Sequence, residues 1–404
     1  MPPTSKPRVR GGDRSANAGL RRGALLVVGV LIALAVASAT RPPAANGASV
    51  YWGAYISGGT YGFDDAPFDA RSIDAFESDA GKGESIIHWG QPWFWGSHGG
   101  YQRFQAAEAE GVRRRGSIPM ITWTSTDHDR GGSLVQPAFR LDAITNGRHD
   151  AYIHAWARDA RAWGYPLLVR FDPEMNGDWS NWSEVVNGNR RRRFVPMWRH
   201  VVSIFRAEGA SNVTWVWAPN RTWIDAPISL RSLYPGRSYV DWAGLSAYNW
   251  GTNPAKPRNS WQTTDEVFKA TYDALLRIAP GKPIMIAETA ASEHGGSKAS
   301  WIRRTLRTAL PSRYPKVRAV VWFNWNVRAT TGTMDWVIES SAAAMAAFRS
   351  SIARRYYAGS SFRNLPRLTK VRPVSTVRVK VRRKAVPSAA RHLVRRATVT
   401  IRRR

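Results

Sequence analysis

Two glutamates close apolar stretches of the sequence and could act together as an acid and a nucleophile. Glu174 follows the run PLLVRF, and Glu288 ends the run KPIMIAE. A carboxylate at the end of an apolar strand is costly unless it faces a partner or an open site. Two such groups aimed at one point can hydrolyse a glycosidic bond, because one protonates the leaving oxygen while the other attacks the anomeric carbon. The alternative for each glutamate is a plain ion pair with a nearby arginine, such as Arg170.

The elements that must position these glutamates recur along the chain as eight short apolar runs. They are YWGAYI (51–56), SIIHWG (85–90), SIPMITW (117–123), PLLVRF (166–171), NVTWVWAP (212–219), DWAGLSAY (241–248), KPIMIAE (282–288) and RAVVWFNW (318–325). Such runs are typical of parallel strands buried on both faces. Segments with helical spacing lie between them, at 150–163, 194–207, 264–278 and 301–310, and a last one follows at 340–353. The segment between the fifth and sixth runs is the least clear.

This alternation predicts an α/β fold, a single (β/α)8 TIM barrel over residues 51–357. In such barrels the active-site residues lie at the carboxyl ends of the strands. Glu174 and Glu288 follow the fourth and seventh strands, on roughly opposite sides of the barrel, so their side chains can point to one centre. The first strand is not followed by a Gly-rich phosphate turn, which argues against a doubly wound nucleotide-binding sheet.

The two ends of the chain carry most of its net charge of +30. Residues 1–50 hold a net +6 and residues 364–404 a net +14, which leaves +10 for residues 51–363. A basic start, the uncharged run 23–39 and an Ala-Ser-Ala site predict a signal peptide or signal anchor at 1–40, followed by a linker at 41–50. The protein is therefore expected to be secreted or anchored at the outer face of the membrane.

The C-terminal segment 358–404 is a basic tail, expected either to be disordered or to form a short β-hairpin. It could bind an anionic cell-wall polymer; the alternative is a solvated arm without a partner. Because the excess charge lies at the ends and not across the folded domain, no nucleic-acid partner is expected. The barrel is expected to be a monomer.

Several classes of chemistry are excluded by what the sequence lacks. It contains no cysteine, which excludes thiol catalysis and thiolate zinc sites. It has no P-loop, HExxH, GxSxG or dinucleotide motif. Asp127-His128-Asp129 lacks the remaining ligands of a metal motif and is interpreted as a polar loop. Neither a metal nor a cofactor is expected.

Further candidates for substrate contact lie near the predicted strand ends. Trp179, Trp182, Trp250 and Trp325 could stack on sugar rings, although for any one of them core packing is the alternative. Tyr248 could donate to Glu288, or be a rim aromatic. Asn176 could hydrogen-bond a sugar or orient Glu174, or serve as the turn residue of Asn-Gly. His88 could contact substrate, or be a buried barrel histidine. Trp217 and Asn220 are weaker candidates.

The segment around the first glutamate resembles glycoside hydrolase family 26. The likeness covers about residues 50–350 and rests on Arg170, Glu174, Met175, Asn176, Gly177, Trp179, Trp182, Tyr248, Glu288, Trp322 and Trp325. It implies a retaining enzyme in which Glu174 is the acid/base and Glu288 the nucleophile, with carboxyl groups about 5–5.5 Å apart. The family mostly cleaves β-1,4-mannan, and some members cleave mixed-linkage β-glucan or β-xylan. The resemblance therefore implies an endo-glycosidase, with β-1,4-mannan or a related β-glycan as the expected substrate.

One position departs from the pattern of this family. Its members usually have His immediately before the acid/base, where this chain has Pro173. The usual mannan specificity is therefore in question. Two alternatives stay open, a non-catalytic or weakly active glycan-binding protein on the same scaffold, and a glycosidase for an acidic polysaccharide.

Overall fold

Eight parallel strands close into a barrel in the computed structural model, which describes residues 49–223, 226–252, 259–326 and 335–374 and the backbone of 377–378 and 400–401. The strands are β1 Val50–Ile56, β2 Ile86–Trp95, β3 Ile118–Asp127, β4 Leu167–Phe171, β5 Val213–Trp217, β6 Trp242–Ser246, β7 Ile284–Thr289 and β8 Val317–Asn324. Each strand pairs with the next, and β1 pairs with both β2 and β8. The predicted (β/α)8 barrel is confirmed. The predicted signal segment 1–40 lies outside the described residues.

Strand composition explains why the sheet closes. Every residue of β4, β5 and β6 is buried, as expected for strands covered on both faces. At the closing seam, a Cβ on Gly53 would lie 2.2 Å from the carbonyl oxygen of Ile86. Only glycine lets β1 and β2 approach this closely.

Helices cover the outside of the barrel. They are α1 Ala70–Ala80, α2 Ala106–Arg114, α3 Leu141–Thr145, α4 Asp150–Trp163, α5 Phe194–Ala207, α6 Thr264–Ile278, α7 Lys298–Arg303 and α8 Ala342–Ile352. α7 continues through a π-helical turn, Arg304–Ala309, into the short helix Leu310–Arg313. Between β5 and β6 the described residues form only 3₁₀ turns, Leu230–Leu233 and Arg237–Tyr239. Pro227 and Pro235 interrupt this segment, which disfavours a longer helix.

Most of the large aromatic side chains belong to the layer between sheet and helices. Trp93 stacks on Phe171 with ring centroids 5.7 Å apart and an interplanar angle of 4°. Trp123 packs on Trp156 at 4.8 Å, and all three indoles are fully buried. The unusual number of tryptophans therefore reflects packing first and a sugar-binding surface only in part.

The chain after α8 closes the amino end of the barrel. Tyr357–Ala358 pairs with the start of β1, and residues 359–374 continue across the strand starts. Val371 is buried there; its N–H donates to Thr214 Oγ1, and its carbonyl accepts from the indole of Trp242. The packed chain thus extends beyond the boundary predicted at residue 357. Further along, Val377–Arg378 pairs antiparallel with Thr400–Ile401.

No helix in the described part of the chain is both long enough and apolar enough to span a membrane. The predicted anchor at 23–39 falls outside that part, so it stays a prediction.

Candidate active site

One guanidinium joins the two glutamates at the carboxyl end of the barrel. Nη1 of Arg170 lies 2.5 Å from Glu288 Oε2, and Nη2 lies 3.6 Å from Glu174 Oε1. Arg170 is 3% exposed, which makes these contacts largely shielded from water. Both glutamates therefore pair with the same arginine. Its single positive charge cannot fully neutralise two negative carboxylates.

The turn after β4 places Glu174 at the mouth of the barrel. Asp172 and Glu174 have positive φ angles of 37° and 58°, a conformation that residues other than glycine adopt rarely and usually at functional sites. The Glu174 N–H donates to the carbonyl of Ala218 at 2.8 Å, and Trp182 donates to the carbonyl of Pro173 at 2.8 Å. This strained turn is tied to β5 and to the following loop.

The two carboxyl groups lie in different electrostatic surroundings. Burial raises the pKa of Glu174, the nearby Glu288 raises it further, and Arg170 opposes both effects. Glu288 accepts a hydrogen bond from Tyr248 Oη and forms an ion pair with Arg170. A raised pKa on one carboxyl group of a pair is what a proton donor requires.

Arg170 is itself held from two neighbouring parts of the barrel. Its Nη1 donates to Thr122 Oγ1 at 3.1 Å, and its Nη2 donates to Ser246 Oγ at 2.6 Å. Thr122 lies directly opposite Arg170 in the β3–β4 register. The pairing of β3 with β4 therefore fixes the position of the Arg170 guanidinium, which contacts both glutamates.

Trp179 contacts the acid directly. Its indole N–H donates to Glu174 Oε2 at 3.0 Å, and its side chain is among the exposed large hydrophobic groups of the protein. The ring stacks on Trp223 at 5.7 Å and 27°. A Cβ on Gly177 would lie 2.4 Å from this ring, which explains the glycine two residues before the tryptophan. Trp179 and Trp223 form an aromatic surface next to the acid.

The other aromatic candidates lie around the same mouth. Tyr248 packs on Trp336 at 5.1 Å, and Trp250 packs on Trp336 at 5.0 Å. Trp325 stacks on Tyr55 at 5.7 Å and 25° and lines the cleft. Trp182 is half-buried and lines a smaller cavity with Trp179.

Asn176 and His88 lie beneath this surface. Asn176 is fully buried; its Nδ2 donates to the carbonyl of Asn220, and its Oδ1 accepts from the N–H of Asn220. Its side chain joins two loops, which favours a structural role over the predicted sugar contact. His88 is 1% exposed, and the ring of Tyr55 covers it edge-on at 5.5 Å. The alternative of a buried barrel histidine fits His88 better than direct substrate contact.

The weaker candidates also have structural contacts. Trp217 is fully buried and packs on Tyr234. In the polar loop, Asp129 accepts hydrogen bonds from Ser97. Nowhere in the described residues do three His, Asp or Glu side chains come together in a way that could hold a metal ion.

A cleft of about 1040 Å³ runs from the mouth along the loops that follow β1, β2 and β3. Tyr55, Thr122 and Trp325 lie at its inner end, and Trp95 and His128 lie among the loop residues that line it. Among the described residues, no lysine or arginine lines it, whereas Asp64 and Asp65 do. The described lining therefore offers no cation to an anionic ligand.

Sequence reasoning missed four residues of this site: Tyr55, Thr122, Ser246 and Trp223. The position of Tyr55 and Ser246 near the carboxyl ends of β1 and β6 is a signal that would have found them. Thr122 and Trp223 carry no such signal, because only their contacts with Arg170 and Trp179 in the folded protein identify them.

Comparison with known proteins agrees with this geometry. Residues 145–303 match the family model described as Glycosyl hydrolase family 26. Endoglucanase H of Acetivibrio thermocellus is 38% identical over 298 residues, which cover 72% of this chain and 29% of that protein. Mannan endo-1,4-beta-mannosidase of Bacillus subtilis is 28% identical over 159 residues, 38% of each chain. The chain thus spans about a third of the length of these curated relatives.

A solved structure shares the fold. The catalytic domain of the Bacillus sp. JAMB-750 GH26 endo-beta-1,4-mannanase aligns with a TM-score of 0.56 at 16% identity. The alignment covers 78% of this chain and 88% of that domain.

Proposed function

We propose that this chain, whose residues 145–303 match the family model of glycosyl hydrolase family 26, is a retaining endo-acting glycoside hydrolase of that family on a neutral β-linked polysaccharide. The observation that carries the proposal is the shared guanidinium of Arg170, which contacts both glutamates. Glu174, with its raised pKa, is the acid/base, and Glu288, which accepts from Tyr248 and forms an ion pair with Arg170, is the nucleophile.

The reaction then runs in two displacements. In the first, a Glu288 oxygen attacks the anomeric carbon while the Glu174 proton moves to the leaving oxygen, and a covalent glycosyl-enzyme forms. In the second, the Glu174 carboxylate takes a proton from water, the water oxygen attacks the same carbon, and the bond to Glu288 breaks. Two inversions retain the β configuration. Carboxyl groups about 5–5.5 Å apart are expected for this mechanism.

Two observations favour a β-glucan over a β-mannan backbone. The relative named Endoglucanase H is 38% identical to this chain, whereas the relative named for mannan is 28% identical. Glucose and mannose differ only in the direction of the C2 hydroxyl, which lies next to the reacting carbon. Pro173, just before the acid, has neither a side-chain donor nor an N–H for that hydroxyl.

A polyanionic substrate is the less favoured alternative. Recognition of carboxylate or phosphate groups uses arginine and lysine, and neither is found among the described residues that line the cleft. The positive charge of the chain is concentrated at its ends. A non-catalytic binding protein is the second alternative, and it is separated from the enzyme by turnover alone.

The test is reducing-sugar release from mixed-linkage β-glucan, β-1,4-mannan, glucomannan, β-xylan and polygalacturonate. The full chain is compared with Glu288→Gln, which keeps the size of the side chain and removes the nucleophile. Turnover of β-glucan above mannan, lost in the variant, supports the proposal. Turnover only on polygalacturonate would contradict it, and binding without turnover on every polymer would point to a binding protein.

Export and attachment belong to the same proposal. The basic and apolar segments within residues 1–40 support secretion or anchoring at the outer membrane face. The acid-free stretch 364–404 supports contact with an anionic cell-wall polymer. Fractionation of cells with an antibody against the barrel, with and without a high-salt wash, tests both.

A further inference from the structure

We propose that Thr122, oriented by the buried His88, is a positioning residue that holds Arg170 where it serves both glutamates. The inference rests on the proposed glycosidase function and deepens it.

The hydroxyl of Thr122 contacts Arg170 directly. Its oxygen accepts a hydrogen bond from Arg170 Nη1, the same nitrogen that lies 2.5 Å from Glu288. Thr122 and Arg170 are register partners on β3 and β4, so the contact needs no long or flexible side chain on the threonine side. Loss of this acceptor would leave Nη1 bound to Glu288 alone and free to follow that carboxylate.

His88 orients the hydroxyl of Thr122, because its Nε2 lies 2.6 Å from Thr122 Oγ1. Burial lowers the pKa of His88, and the neighbouring Arg170 lowers it further, so the ring is neutral. A neutral ring can accept the hydroxyl hydrogen of Thr122 through Nε2. The oxygen lone pairs of Thr122 then face Arg170. The ring is fixed in turn, because Tyr55 covers it and it is 1% exposed.

The position of Arg170 also affects catalysis through Glu174. Arg170 is the first of three groups, with Asn220 and Ser246, that lower the pKa of Glu174 against the effects of burial and of Glu288. Ser246 holds the other end of the guanidinium, so Thr122 determines whether the cation stays between the two carboxyl groups or moves. Thr122 thus acts through Arg170 and sets the balance between the acid and the nucleophile.

The experiment compares Thr122→Val with Thr122→Ser in the full chain. Valine keeps the shape and removes the hydroxyl, whereas serine keeps the hydroxyl and removes the methyl group. We expect Thr122→Val to lower kcat about 10- to 100-fold with KM changed less than about threefold, the range for a lost preorganised contact. Thr122→Ser should stay within about threefold of the parent. His88→Leu should reproduce part of the loss, about 3- to 10-fold.

A readout independent of turnover separates positioning from simple destabilisation. In ¹³C NMR of labelled glutamate carboxyls, Thr122→Val should raise the pKa of Glu174, because Arg170 no longer opposes burial as strongly; Thr122→Ser should not. Equal loss of kcat in both variants, or an unchanged Glu174 titration in Thr122→Val, would overturn the inference. If Thr122→Val does not fold, Thr122→Ala removes the same hydroxyl without added bulk. A parent chain inactive on every polymer would count against the proposed function, while the carboxyl titration still tests Thr122.

Discussion

The indole N–H of Trp179 donates a hydrogen bond to Oε2 of Glu174 over 3.0 Å. The five-residue spacing between acid and tryptophan, with Gly177 beneath the ring, brings the donor back onto the carboxyl group. This donor favours the ionised acid that the second displacement needs.

Trp179→Phe keeps an aromatic surface but removes this N–H. We expect kcat to fall about 10- to 100-fold, roughly the worth of one hydrogen bond to a charged group. Trp223→Phe is the matched control, since its ring stacks on Trp179 without contacting Glu174, and it should leave kcat within about twofold. Steady-state kinetics on the preferred polymer measures both. Equal losses in the two variants would assign the effect to stacking.

The acid and the nucleophile should respond differently to a better leaving group. With Glu174→Ala, hydrolysis of the polymer should fall about 10²- to 10⁴-fold, because leaving-group protonation is lost. A dinitrophenyl glycoside of the same sugar needs little protonation, so its glycosylation step should be spared. Added azide should speed turnover, because this anion attacks the anomeric carbon without a base, releases Glu288 and gives a β-glycosyl azide. Glu288→Ala should lose both substrates. A Glu174→Ala variant equally impaired on both substrates would argue against its role as the acid.

The raised pKa of Glu174 predicts the alkaline limb of the pH profile. The first displacement needs the protonated acid, and burial and Glu288 keep it protonated at a higher pH than an ordinary glutamate. The value of kcat/KM should therefore fall as pH rises through this raised pKa, which kcat/KM reports for the free enzyme. Initial rates from pH 4 to 9 measure this limb. An alkaline limb at the pKa of an ordinary glutamate would contradict the assignment.

Asp172 predicts a pH dependence of stability. Burial raises its pKa to about 7 in the folded protein, although Ser125 donates to both of its oxygens. The folded state binds this proton more tightly than the unfolded state, so its contribution is full below the ordinary aspartate pKa of 3.8 and is lost as pH rises to about 7.

Asp172→Asn removes this titration and suits a positive φ, which asparagine tolerates. Between pH 4 and 8 the free energy of unfolding of the parent should fall by about 1–3 kcal/mol relative to the variant. Urea unfolding at several pH values gives both curves. Parallel curves for parent and variant would show that Asp172 titrates normally in the fold.

The closed end of the barrel should contribute stability without affecting catalysis. Val371→Ala leaves a cavity among buried residues and should cost about 1–2.5 kcal/mol of unfolding free energy. Val374→Ala, at a half-buried site three residues on, should cost less. Both variants should keep the kcat of the parent. A neutral Val371→Ala would mean that residues 359–374 do not contribute to the folded core.

The sequence predicted the barrel and the position of Glu174 and Glu288 at its mouth because both depend on local patterns. Apolar runs such as 166–171 mark strands that are buried on both faces, and a carboxylate just beyond such a run marks the mouth. The family resemblance through Glu174 and Trp179 is confirmed by the match to family 26 over residues 145–303.

What the sequence did not predict depends on contacts between distant parts of the chain. Val371 lies close to the basic residues Arg367 and Lys370, so from the sequence it resembles part of a solvated tail. In the structure it packs against β5 and β6. Asn176 follows the acid by two residues and suggested a sugar contact, but its partner is the backbone of Asn220. His88 was separable from a substrate contact only by its burial.

The central claim, that Glu174 and Glu288 perform a double displacement, is tested most directly by the anomer first released. Proton NMR of the products in the first minutes of hydrolysis, before mutarotation, shows the configuration at the new reducing end. A double displacement releases the β-anomer first, and this product then equilibrates slowly with the α-anomer. Initial appearance of the α-anomer would mean a single inversion, with Glu288 activating water, and would contradict the mechanism.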